Sequence, residues 1–172
     1  MKKIVCLLVL LMSAFFYGQI KQEPTQVYEL EGIQVESYNF DGLASFLKQE
    51  DGTTYIINFW ATWCAPCIKE LPYFEEMNVL YKEKNVKVIL VSLDFPKKVT
   101  SNLIPFIKRK KITSQVIHLN DPDANSWIEK VNNEWSGAIP ATLIYKDDHS
   151  VFYEQSFTFE TLEKELLKML NQ

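Results

Sequence analysis

Cys64-Ala65-Pro66-Cys67 sets two thiols either side of two residues, directly after Trp63 and the run Tyr55-Ile56-Ile57-Asn58-Phe59-Trp60. Such a pair can close into a disulfide and reopen. The spacing predicts that it sits where an apolar strand gives way to a helix. The first turn of a helix offers unpaired backbone N–H groups and the positive end of its dipole. Both favour a thiolate at Cys64, and the thiolate is the nucleophile of disulfide exchange. Cys67, one turn further in, is placed to resolve a mixed disulfide. A zinc half-site uses the same spacing but needs two further ligands. His118 and His149 lie far apart without ligand spacing, and Cys6 falls in a segment predicted to be removed. A purely structural disulfide closing so short a loop would remove little chain entropy. In the strand–dithiol–helix context, redox chemistry is the favoured reading.

The elements that must carry this pair follow from periodicity and turn signals. Val27 to Tyr38 alternates around Glu31-Gly32 and predicts a hairpin. Phe40 to Lys48 predicts a short helix with Leu43, Phe46 and Leu47 on one face. Asp51-Gly52 is a turn into a strand over Thr54 to Trp60. After the dithiol, Ile68, Leu71, Phe74, Met77 and Leu80 recur every third position through a long helix, with Pro72 inside it and Asn85 at its end. Val86 to Leu93 reads as a buried strand. A helix over Thr100 to Lys110 containing Pro105, a strand over Val116 to Leu119 and a helix over Ala124 to Val131 come next. Strands over Ala141 to Tyr145 and Val151 to Gln155, joined at Asp147-Asp148, precede a closing amphipathic helix over Thr158 to Leu170. Strands alternating with helices imply an α/β fold, a mixed sheet covered on both faces.

Lys2 and Lys3 precede an apolar stretch from Ile4 to about Tyr17, then Gly18. That is the pattern of an export signal with a cut near Gly18/Gln19. The expected organisation is a signal over 1–18, a flexible lead-in over 19–26 and one domain over 27–172. An uncut signal would leave a membrane anchor; once cut, no stable membrane insertion is expected. Cys6 precedes most of the apolar stretch, whereas a lipid-bearing cysteine would follow it. Removing 1–18 takes away two lysines and no acid, so the net charge moves from −4 to −6. An acidic surface argues against nucleic acid and anionic membrane as partners. The basic run Lys108-Arg109-Lys110-Lys111 reads as a solvated helix end, where cations suit the dipole. Two cysteines in the mature chain are too few for a disulfide scaffold.

Asn58-Phe59-Trp60-Ala61-Thr62-Trp63-Cys64-Ala65-Pro66-Cys67, continued by Glu70-Leu71-Pro72, resembles the thioredoxin superfamily. Within it, the string is similar to the exported TlpA-like thiol–disulfide oxidoreductases of the cytochrome c maturation type. Gly137-Ala138-Ile139-Pro140-Ala141-Thr142 before a strand is a second match, and the resemblance spans roughly residues 27 to 170. It implies a thioredoxin-like mixed sheet with an N-terminal hairpin and a helix-and-strand insertion before a cis-proline loop. Pro140 would be the cis-proline, beside the dithiol, and Ile139 would offer its backbone to a bound partner strand. Trp63 would cover the outer sulfur and contribute contact surface. Trp127 and Trp135, in the insertion, read as core packing ahead of a partner surface. Cytoplasmic thioredoxins carry a buried aspartate where this chain has Asn58. The TlpA-like group commonly pairs asparagine there with a glutamate after the dithiol, matched here by Glu70. Three residues after Cys67, Glu70 stands on the dithiol side of the helix and could take the inner thiol's proton.

The expected activity is therefore thiol–disulfide exchange in the periplasm or cell envelope, through Cys64, Cys67 and Glu70, with Trp63, Ile139 and Pro140 contacting the partner. No metal and no cofactor is expected. Partners would be disulfide-containing envelope proteins and a membrane thiol protein that donates electrons. Relatives with this glutamate are mostly reductants. Two other classes use related folds. A dithiol can hold Cu(I) for delivery, usually with a nearby histidine. A peroxiredoxin-like peroxidase would want a lone peroxidatic cysteine in a different loop.

Overall fold

The computed structural model describes residues 23–171, so the export pattern around Lys2, Lys3 and Cys6 lies outside the described residues. A seven-stranded sheet runs in the order β1-β2-β5-β4-β3-β6-β7. Its centre is β3 (Thr54–Trp60), every residue of which is buried. On one side β3 pairs in parallel with β4 (Val86–Ser92), which pairs in parallel with β5 (Gln115–Leu119). Beyond β5 lies the hairpin of β1 (Gln26–Leu30) and β2 (Ile33–Tyr38). On the other side β3 pairs antiparallel with β6 (Ala141–Lys146), and β6 with β7 (His149–Tyr153).

A strand points successive side chains to opposite faces, and β3 divides accordingly. Ile56 and Trp60 join one core with α2 (Ala65–Leu80), α3 (Ile104–Lys110) and α5 (Phe159–Leu170). Tyr55, Ile57 and Phe59 join the other, under α1 (Phe40–Ala44) and α4 (Ala124–Val131). The thioredoxin-like mixed sheet, helices on both faces and the β5–α4 insertion are as the sequence implies. Among the described residues, no helix is long and apolar enough to cross a membrane.

Several boundaries differ from the sequence reading: α2 stops at Leu80, with a tight turn over Lys82–Lys84 before Asn85, and strand ends in β4 to β7 move by one or two residues. Four differences have a clear local reason. The hairpin reaches back to Gln26, and the Thr25 N–H bonds the Ser37 carbonyl at 2.8 Å. α1 stops at Ala44 rather than Lys48. Phe46 and Leu47 tighten to bonds with the carbonyls three residues back, and Tyr145 Oη takes over by donating to the Phe46 carbonyl (2.7 Å) and accepting from the Gln49 N–H (3.3 Å). The helix expected over Thr100 to Lys110 is split: a wide π turn covers Val99–Leu103, and α3 begins at Ile104. Pro105 has no N–H to give, which suits the first turn of a helix and not its middle. β7 begins two residues early, because Asp147 at φ 50° lets a tight turn set His149 opposite Lys146.

Candidate active site

The parallel strands β3, β4 and β5 deliver their carboxyl ends to one edge of the molecule, the usual place for a site in such sheets. Trp60 pairs with Ser92, and Ser92 with His118. Cys64 caps α2 from an extended backbone, and its Sγ accepts the Cys67 N–H at 3.3 Å. The two cysteines form a disulfide with 5.3 Å between their Cα atoms. Cys67 is wholly buried and Cys64 nearly so. The backbone N–H aimed at Cys64 and the helix end behind it are what stabilise a thiolate there once the bond opens.

The opposite wall comes from β6. Its antiparallel register sets Asn58 against Thr142 and Phe59 against Ala141, so the residues just before β6 fall beside the end of β3. The Ile139–Pro140 bond is cis, and Cys64 Sγ lies 3.7 Å from the Ile139 carbonyl. Trp135 pins this loop by donating from Nε1 to the Ala138 carbonyl at 2.8 Å. Its ring packs against Phe59 and Trp127, and both tryptophans are buried. Gly137 sits at φ 93°, a conformation that residues with a side chain rarely adopt, and a Cβ there would press on the tip of Ile128 at 2.9 Å.

Glu70 is 1% exposed, beneath the dithiol segment of α2. Its Oε1 accepts from Asn58 Nδ2 at 3.0 Å and its Oε2 from the Phe157 N–H at 2.7 Å. Burial pushes its pKa up to about 7, against the opposing pull of the Phe157 and Asn58 donors. Asn58 Nδ2 also donates to Thr142 Oγ1 at 3.1 Å, while Asn58 Oδ1 is buried without a partner. An aspartate at position 58 would face Glu70 as a second buried acid; the amide instead supplies a donor. Cys67 and Glu70, three apart on one helix, share a face.

A second buried acid went unread in the sequence. Asp94, 2% exposed, follows β4 and accepts the Thr62 N–H at 3.0 Å, the Thr62 hydroxyl, and Ser92 Oγ at 2.9 Å. It therefore clamps the residue two before Cys64. His118 supports the clamp from β5: Nε2 donates to the Asp94 carbonyl at 2.8 Å, and Nδ1 accepts from Ser37 Oγ at 2.9 Å. Burial lowers the His118 pKa, opposed by the Asp94 carbonyl and charge, which suits a neutral ring with one donor and one acceptor. Both ring nitrogens are occupied. Among the described residues, no cluster of three or more His, Cys, Asp or Glu side chains is arranged to hold a metal ion. Trp63 is 58% exposed beside Cys64.

The geometry thus brings together all six residues singled out in the sequence: Cys64, Cys67 and Glu70 on α2 or its cap, Trp63 next to them, and Ile139 and Pro140 across the sulfurs. Residues 32–154 match the AhpC/TSA family. Among curated proteins, the thiol-disulfide oxidoreductase ResA of Oceanobacillus iheyensis is 32% identical over 119 residues, covering 68% of this chain and 57% of that protein. The ResA protein of Bacillus thuringiensis is 43% identical over 68 residues, covering 40% of this chain and 34% of that protein. The chain therefore matches less than two thirds of these relatives' lengths. Among solved structures, a secreted thiol-disulfide isomerase from Corynebacterium glutamicum aligns with a TM-score of 0.60 at 17% identity, covering 83% of this chain and 80% of that one. A thioredoxin-family thiol:disulfide interchange protein from Chlorobium tepidum also scores 0.60, at 18% identity, covering 86% and 96%. At such identities the structural likeness speaks for the thioredoxin-like fold.

Proposed function

The chain belongs to the AhpC/TSA family, and from that premise and the site geometry we propose that it is a thiol–disulfide oxidoreductase that reduces disulfides of partner proteins. The observation that carries the reading is the Cys64–Cys67 disulfide at the cap of α2, with Cys64 Sγ against the Ile139 carbonyl. In the reduced protein, Cys64 thiolate attacks one sulfur of a client disulfide. A Cys64–client bond forms and one client thiolate leaves, to be protonated. Cys67 then gives up its proton and attacks Cys64 Sγ. The second client thiolate departs, the Cys64–Cys67 disulfide closes, and two electrons have passed to the client. Glu70 is the proton acceptor, because a buried carboxyl titrating near 7 exchanges protons at working pH.

Trp63 supplies contact surface to the client, and Ile139 and Pro140 hold its backbone beside the attacking sulfur. The clients are disulfide-bearing proteins of the cell envelope, and a membrane thiol protein returns the electrons. Lys2, Lys3 and the apolar stretch after them support export to the envelope. Cys67→Ser tests the order of events: challenged with a client disulfide, it accumulates a covalent mixed disulfide through Cys64. Recovery of free monomer alone contradicts resolution by Cys67. Equilibration with glutathione tests the direction, since a strongly reducing couple supports a reductant and an oxidising one reverses the role. Peroxide consumption faster than disulfide exchange would overturn the assignment.

A further inference from the structure

Two aromatic rings stand in water next to the nucleophile. Trp63 is 58% and Phe95 66% exposed, and among the described residues they are the only aromatics in the set of exposed large hydrophobic side chains. Their ring centroids are 6.5 Å apart at an interplanar angle of 28°. They come from different loops, one after β3 and one after β4. Those loops are fastened to each other immediately behind the rings. The Leu93 N–H donates to the Trp60 carbonyl at 2.8 Å, and the Asp94 carboxylate grips Thr62 through its N–H and hydroxyl. Thr62 precedes Trp63 and Asp94 precedes Phe95, so the clamp sets the two rings side by side.

Leaving two large rings in water forgoes the free energy of burying them, and ordering them beforehand removes a cost that a partner would otherwise meet on binding. An exposed apolar patch of this kind, continuous with a reactive sulfur, marks an interaction surface. Its surroundings carry the sign of the partner. Phe95 opens a tight turn over Pro96–Lys98, and both Lys97 and Lys98 are exposed, in a chain of net charge −4.

We propose that Trp63 and Phe95 form a docking platform for a client polypeptide that carries a large apolar side chain beside its reacting cysteine and an acidic residue next to that. The proposal rests on the disulfide-exchange reading and narrows its substrate class. The platform receives the apolar side chain, Lys97 and Lys98 attract the acid, and the client sulfur is brought to Cys64. Asp94 acts behind the rings as a positioning residue.

The test uses the reduced full chain and disulfide-bonded peptides that differ only beside the attacked cysteine: Phe-Glu, Ser-Glu and Phe-Lys. The Phe-Glu peptide should react about tenfold faster than Ser-Glu, the range expected for one good aromatic contact. It should also outpace Phe-Lys, by a margin that shrinks as salt is raised. In Phe95→Ala the Phe-to-Ser ratio should fall towards one, and Phe95→Leu should retain part of it. Equal rates for Phe-Glu and Ser-Glu with the unaltered protein overturn the platform, as does a preference that survives Phe95→Ala. A small aromatic disulfide run alongside separates the two levels. If it too fails to oxidise the dithiol, the exchange reading itself falls; if it reacts while the peptides are not discriminated, only the platform does.

Discussion

Glu70 and Asp94 are both buried carboxylates that flank the dithiol segment, and they are held in different ways. Asp94 takes two hydrogen bonds from Thr62 in the loop it serves and a third from Ser92 at the end of the strand it follows, β4. Glu70 takes one bond from a side-chain amide on β3 and one from the backbone before α5, with burial outweighing both. The first arrangement fixes geometry. The second leaves a carboxyl that loses its proton near neutral pH. On the proposed reading, these two acids of nearly equal burial divide the work, one placing the attacking sulfur and the other moving a proton.

Removing the attacking sulfur itself has the largest expected effect. Cys64→Ser should slow exchange on the order of a thousandfold or more, measured with any client disulfide. Next in size is the clamp. Asp94→Ala leaves the Thr62 N–H and hydroxyl without their acceptor, and should cost about 2–3 kcal/mol in a denaturant melt. Exchange should slow as well, and the pH dependence of Cys64 alkylation should move. Asp94→Asn, which keeps an accepting oxygen, should recover part of both. A lowered melt midpoint with unchanged alkylation would reduce Asp94 to scaffolding.

Glu70→Gln should act on pH rather than on geometry. The folded pKa is raised to about 7 from the ordinary 4.5, so between those values the native state keeps a proton that the unfolded chain has lost. Glu70 therefore favours the fold below that window, and the benefit fades as pH rises through 7. Replacing it with glutamine should lessen the fall in melting temperature from pH 5 to pH 8 by about 5 °C. It should also remove the inflection near 7 from the exchange profile. The smallest effect belongs far from the site: Lys108→Ala breaks an exposed pair with Glu31 and should shift stability by less than about 0.5 kcal/mol.

Much of this division could be read in the chain, and the rest could not, for physical reasons. β3 is bounded by a turn signal on one side and the dithiol on the other, and its apolar run Tyr55 to Trp60, interrupted only by Asn58, marks it as a buried strand. Glu70 was legible because it lies one helical turn from Cys67, so sequence distance and spatial distance agree. Ser92 and Asp94 lie at and just after the end of β4 and His118 lies on β5, and only the order of β3, β4 and β5 brings them beside Thr62. Ser92 and Asp94 look like any polar strand end until that order is known. Phe95 follows an apolar strand, and nothing in its sequence neighbours signals that it stands exposed at the start of the turn over Pro96–Lys98. Trp135 is buried, as its place in the insertion suggests, but its hold on the Ala138 carbonyl is a bond that periodicity does not encode. The truncation of α1 is of the same kind, since Tyr145 reaches it from a strand 99 residues away in sequence from Phe46.

The most direct test follows the electrons. Reduced protein is mixed with one equivalent of a disulfide-bonded client, the reaction is quenched in acid, and free thiols on both molecules are counted by alkylation and mass. The account predicts that the client gains two thiols while Cys64 and Cys67 lose theirs together. A client that stays oxidised beside a fully reduced Cys64 and Cys67 would contradict it.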